Sequence, residues 1–155
     1  MMAGIRSVNT KPERQLRTLL HRHGFRYRLH GPRLPGRPDI VLPKHGVVIF
    51  VHGCFWHRHC GCPYAYVPAT NRAFWRSKFA ANLKRDKMAE KQLLDQGWRM
   101  LIVWECAIRD AALNPDALTK RIARWIAARR TRDELPHRSI AVAPTLTRHP
   151  RSRGR

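Results

Sequence analysis

Carboxylates are the scarcest chemistry in this 155-residue chain. Ten Asp and Glu stand against 31 Lys and Arg, a net charge of +21. An isoelectric point near 11.5 is unlike an ordinary cytosolic enzyme. It implies a polyanionic partner, DNA or RNA ahead of an acidic membrane surface. Long apolar runs are missing too: none approaches the roughly 18 residues of a membrane span. No apolar signal-peptide core stands at the N-terminus. The expected location is therefore the cytoplasm, a reducing compartment. The four Cys are there expected as metal ligands or buried thiols and not disulfides.

What is present is enough for one domain with a real core, since 43% of residues are hydrophobic. Residues 1–9 read as a flexible arm. Thr10-Lys11-Pro12-Glu13 has the form of a helix start, with Leu16, Leu19 and Leu20 as its apolar stripe and Gly24 as its stop. Phe25 to Leu29 reads as a strand and Pro32 to Pro38 as a rigid loop. Asp39–Leu42 and Val47–Val51 read as a hairpin central to the sheet. A long helix is expected from Asn71 to about Gln96, with Phe79, Leu83 and Leu94 on one side. Met100 to Trp104 reads as a strand buried on both faces, and Asn114-Pro115 opens a last helix. From about 131 the chain reads as a basic, disordered tail. The order α-β-β-β-α-β-α makes an α/β fold, a mixed sheet flanked by helices.

The densest chemistry lies in residues 51–62, which hold three His, three of the four Cys and the pair Phe55-Trp56. Cys54-x4-His59-x2-Cys62 places ligands at chelating distance, and Cys106 can close a tetrahedral zinc site. Cys60 is an alternative ligand, and Cys106 has the simpler reading of a buried thiol. Four protein ligands leave no open position, so such a zinc is structural.

Scarcity makes Glu13, Asp39 and Asp86 worth weighing singly. Asp39 can hold Mg²⁺ at a strand start or simply satisfy a turn. Glu13 can serve the site or close a capping box. His57, and with it His52, can transfer a proton or lie idle on the surface. Phe55, Trp56 and Trp75 can stack on bases or belong to a core.

Taken together, Pro35-Gly36-Arg37-Pro38-Asp39, Val51-His52-Gly53-Cys54-Phe55-Trp56-His57, Val67-Pro68-Ala69-Thr70 with Phe74-Trp75, Gly97-Trp98-Arg99 and Val103-Trp104-Glu105-Cys106 resemble the very short patch repair (Vsr) endonucleases. The resemblance spans about residues 2–130, so that residues 10–130 are expected as the Vsr-like domain. It implies a restriction-endonuclease-like core and a DNA mismatch endonuclease that nicks 5′ to the T of a T:G mismatch left by deaminated 5-methylcytosine. It implies Asp39 and the Val51 carbonyl as Mg²⁺ ligands, His57 as the catalytic His, and Glu13 and His52 as supporting groups. Phe55, Trp56 and Trp75 are implied to enter the DNA, and Cys54, His59, Cys62 and Cys106 to bind zinc. The expected partner is double-stranded DNA carrying a T:G mismatch. Mismatch-repair proteins are further candidates, no membrane partner is expected, and the chain is expected to act as a monomer. Cys60 departs from the family pattern. The acidic-x-Lys pair usual in nucleases is absent after Asp39, as in the family. A restriction-type endonuclease and a non-catalytic zinc-stabilised DNA-binding module are the competing functions.

Overall fold

The structure is a computed structural model that describes residues 8–136. Its centre is one five-stranded sheet in the order β1-β2-β3-β4-β5: Arg28–Leu29, Ile40–Leu42, Val47–His52, Arg99–Trp104 and Arg132–Leu135. β1, β2 and β3 run antiparallel in turn, and β3, β4 and β5 run parallel. This is the mixed, helix-flanked α/β sheet expected, with β3 at its middle.

Period-2 alternation divides the strands between two cores. Ile40, Leu42, Val47, Ile49, Leu101 and Val103 face one way, onto helices α1 (Lys11–Arg22), α3 (Glu105–Asp110) and α4 (Pro115–Ala127). Val41, Val48, Phe50, Met100, Ile102 and Trp104 face the other way, where Leu93 of helix α2 (Arg72–Asp95) and Cys54, Cys62 and Cys106 complete the layer. Each central strand is thus apolar on both sides, which explains its unbroken hydrophobic run.

The helix signals operate much as their chemistry suggests. Thr10 accepts the Glu13 N–H, and its hydroxyl donates to Glu13 Oε1 at 2.8 Å. α1 and α2 both end on a glycine at φ +83°. The N–H of Gly24 reaches His21 O and that of Phe25 reaches Leu20 O; Gly97 and Trp98 repeat the pattern on Leu94 and Leu93. These paired bonds satisfy the last carbonyls of each helix.

Four details differ from expectation. The first strand shrinks to Arg28–Leu29, because the helix-ending bonds occupy the chain as far as Phe25. Asn71 is left-handed and makes no side-chain cap. On α2, Phe79, Ala89 and Leu93 are buried while Leu83 is exposed, and Leu94 is only half-buried. The boundary at 130 falls too early: Arg132–Leu135 adds a fifth strand beside β4, its Leu135 entering the core. Charged residues at three of four positions hid that strand. The remainder of the expected tail, and residues 1–7 of the arm, lie outside the described residues.

Candidate active site and metal centre

The carboxyl ends of parallel strands β3 and β4 are where an open α/β sheet offers a crevice. There the chain packs its polar groups. A cavity of about 950 Å³ is lined by Glu13, His30, Asp39, Val51, His52, Trp56, His57, Asp86 and others.

On one wall, Asp39 precedes β2 and its Oδ2 accepts the Val51 N–H at 2.7 Å. The ligating atoms of Glu13, His30 and Asp39 lie within 4.8 Å of one another. Burial pushes the Asp39 carboxyl up to about 7, against the Val51 hydrogen bond, and the neighbouring Glu13 adds to the rise. Glu13 stands in the first turn of α1 and also beside Asp39. It accepts from Thr10, from the Asn9 N–H at 3.0 Å and from Arg17 at 3.1 Å, and its carboxylate still faces Asp39. Arg17 also approaches His30 Nε2 at 3.2 Å. The same His30 nitrogen lies 3.3 Å from Asn9 Oδ1.

Gly36 holds the Pro-Gly-Arg-Pro-Asp loop on α2. Its φ is +71°, and a Cβ there would meet the Ala89 Cβ at 2.6 Å. Only glycine meets both demands.

On the opposite wall, His57 Nδ1 sits 2.6 Å from Asp86 Oδ2 on α2. Burial alone would raise the Asp86 carboxyl. The His57 hydrogen bond and charge outweigh it and leave the carboxyl below its ordinary value. An ionised carboxylate only accepts, so the proton in this bond belongs to His57 Nδ1. His52 stacks on His57, ring centres 3.8 Å apart and 9° from parallel. Burial, then the His57 charge, pushes His52 down to about 3, so it stays neutral.

Behind this wall lies the cysteine cluster. Cys54, His59, Cys62 and Cys106 are all buried, with ligating atoms within 4.8 Å of one another, whereas Cys60 is exposed. The sulfurs of Cys54 and Cys106 each lie 3.5 Å from His59 Nδ1. A tetrahedron with zinc-like bond lengths has an S···N edge of about 3.6 Å. The Cys106 hydrogen bond and burial push the Cys54 thiol up; a bound cation would reverse that preference. The cluster can therefore hold a metal ion.

Phe55 forms the hub of the aromatic patch. Its ring lies 5.1 to 5.4 Å from Trp56, Tyr66, Trp75 and Phe79. Phe55, Trp56 and Trp75 are half-buried, while Tyr66 and Phe74 are exposed.

A family model described as DNA mismatch endonuclease Vsr matches residues 1–62. The DNA mismatch endonuclease Vsr of Escherichia coli is 44% identical over 126 residues, covering 81% of this chain and 80% of the relative. The chain belongs to the Vsr family. A type II nicking enzyme of Xanthomonas oryzae is 47% identical over 110 residues, 71% of this chain and 80% of its own. A type II nicking enzyme of Neisseria meningitidis is 39% identical over 122 residues, with 79% and 86% covered.

As a member of the Vsr family the chain is a DNA endonuclease, a hydrolase whose partner is DNA. No helix among the described residues is long and apolar enough to cross a membrane. Glu13, Asp39, Val51, His52, Trp56 and His57 line the cavity, Phe55 and Trp75 lie in the aromatic patch, and Cys54, His59, Cys62 and Cys106 form the buried cluster, from which Cys60 is absent. The sequence singles out Asp86 only as a scarce carboxylate and gives no role to His30 or Arg17. Asp86 left a signal, a carboxylate inside Lys84-Arg85-Asp86-Lys87 on a basic helix. His30 and Arg17 left none, because their meeting depends on the α1–β1 turn.

Proposed function

We propose that this Vsr-family endonuclease nicks duplex DNA 5′ to the thymine of a T:G mismatch produced by 5-methylcytosine deamination, starting very short patch repair. The observation that carries the reading is the pairing of two walls across one cavity: Asp39 and Glu13 on one side, the Asp86-bound His57 on the other.

Asp39 and the Val51 carbonyl would hold Mg²⁺. The residues fit: a half-buried carboxylate faces a second one, and the Val51 N–H already orients it. Mg²⁺, when bound, neutralises the scissile phosphate and lowers the pKa of water. Asp86 fixes the His57 tautomer, which leaves Nε2 to take or give the proton. Neutral His52, stacked on that ring, holds its plane without competing for the proton. Glu13 and His52 would support the waters around Mg²⁺. Cys54, His59, Cys62 and Cys106 would hold Zn²⁺ as a structural ion; their number and spacing support it. Phe55, Trp56 and Trp75 would enter the duplex, where unstacking costs least at a weakened pair.

We assign residues 10–136 to one endonuclease domain with a restriction-endonuclease-like core, acting as a monomer on cytoplasmic DNA; repair proteins are candidate further partners. Relatives named as type II nicking enzymes motivate a matched-duplex control. The test is nicking of T:G and T:A duplexes in Mg²⁺, read on denaturing and native gels. A single cut 5′ to T on the T:G duplex alone supports the reading. Cleavage of both strands at matched sites, or none with any duplex, overturns it. Asp39→Ala should abolish nicking and leave binding intact.

A further inference from the structure

The fifth strand brings a chain of polar contacts to the back of the histidine pair. Register makes this possible. Arg132 lies opposite Met100 and Glu134 opposite Ile102, so both charged side chains share the face of Met100, Ile102 and Trp104. On that face Glu134 Oε2 accepts the Trp104 indole N–H at 2.9 Å. Its other oxygen pairs with Arg132, which binds both oxygens of Glu90 on α2 at 3.0 and 3.3 Å. A buried indole needs an acceptor, and here that acceptor is fixed by a forked ion pair.

Trp104 is wedged between two histidines with different work. Its ring is stacked on His59, 4.1 Å away and 5° from parallel. Its edge meets His52 at 5.4 Å and 75°, and His52 in turn stacks on His57. A displaced indole would press on or leave both rings. Holding its N–H therefore sets the plane in which His52 supports His57.

We propose that Glu134, acting through Trp104, is a positioning residue for the His52–His57 pair. The proposal rests on the reading of His57 as the proton-transfer group. β5 is then part of the catalytic apparatus, though it touches no reacting atom.

The test compares Glu134→Ala with Glu134→Gln, whose amide oxygen can still accept the indole N–H. For Glu134→Ala, kcat for nicking should fall about tenfold with KM for the duplex unchanged, the signature of a displaced reactive group and not of lost binding. Glu134→Gln should restore most of it. Ring ¹H–¹⁵N spectra of the full-length protein should show His52, His57 and His59 shifted in the Ala variant and near wild type in the Gln variant, with metal content equal in all three. Unchanged kcat and rings in Glu134→Ala would overturn the proposal. So would equal losses in both variants, which would point to the Arg132 ion pair, or loss of the bound metal. If wild type nicks no duplex at all, the endonuclease reading fails by itself, and the ring spectra still decide whether Glu134 positions the pair.

Discussion

Asp39 shows what a binding site costs its fold. Burial raises its carboxyl to about 7, above the ordinary carboxylate value, so the ionised form is disfavoured in the folded chain. The folding penalty is absent below about pH 4 and grows as pH rises toward about 7. Asp39→Asn, which keeps an oxygen for the Val51 N–H, should melt higher than wild type at about pH 8 without Mg²⁺, the gap closing toward about pH 4. Mg²⁺ should raise the melting point of wild type and not of the variant. Equal melting at the alkaline end would count against the buried-carboxylate account. His52 makes the opposite case. Its folded pKa lies at about 3, below its ordinary 6.5. Unfolded chains take up a proton there and folded ones do not, so stability is full above about pH 6.5 and falls below it, by about 2 kcal/mol at pH 5. His52→Asn should flatten that acid loss by a similar amount in urea titrations at the two pH values.

At the scale of elements, the loop after β3 depends on which cysteine turns inward. Cys62 is buried with the cluster and Cys60 points to solvent. Cys60→Ser should keep about one bound metal per chain and wild-type melting, while Cys62→Ser should lose the metal and destabilise the loop. Metal analysis of the two purified variants decides; the reverse result would exchange their assignments. The Pro-Gly-Arg-Pro-Asp loop depends similarly on Gly36. Gly36→Ala adds left-handed strain of about 1–2 kcal/mol to the 2.6 Å approach to Ala89. It should lower the melting point and weaken nicking together, because the same loop carries Asp39. A variant with wild-type melting would show that the loop does not need to lie on α2.

At the scale of the whole molecule, charge dominates. A net +21 favours any duplex before any base is read. With roughly six phosphates neutralised, affinity should drop about a thousandfold between about 50 and 200 mM salt. Asp39→Ala should follow the same slope, since it removes no cation. Gel-shift titrations at several salt concentrations measure it. A flat dependence would mean that the basic surface lies away from the DNA.

Much was legible in the sequence because it was local. The Thr10–Glu13 cap, the glycine stops, the double-faced apolar strands and the ligand spacing Cys54-His59-Cys62 depend on neighbours in the chain. The α/β class, the central hairpin and the Vsr resemblance followed from them. Tertiary structure decided what depends on distant partners. It brought Asp86 to His57 across 29 positions, a pairing with no local signal, and set Cys106 3.5 Å from His59 across 47. It also buried Cys62 while leaving Cys60 exposed, and drew the charged segment Arg132–Leu135 into the sheet. Local patterns record which face of an element is apolar. They do not record which polar groups meet when those faces are packed, because that is fixed by register and crossing and not by spacing along the chain.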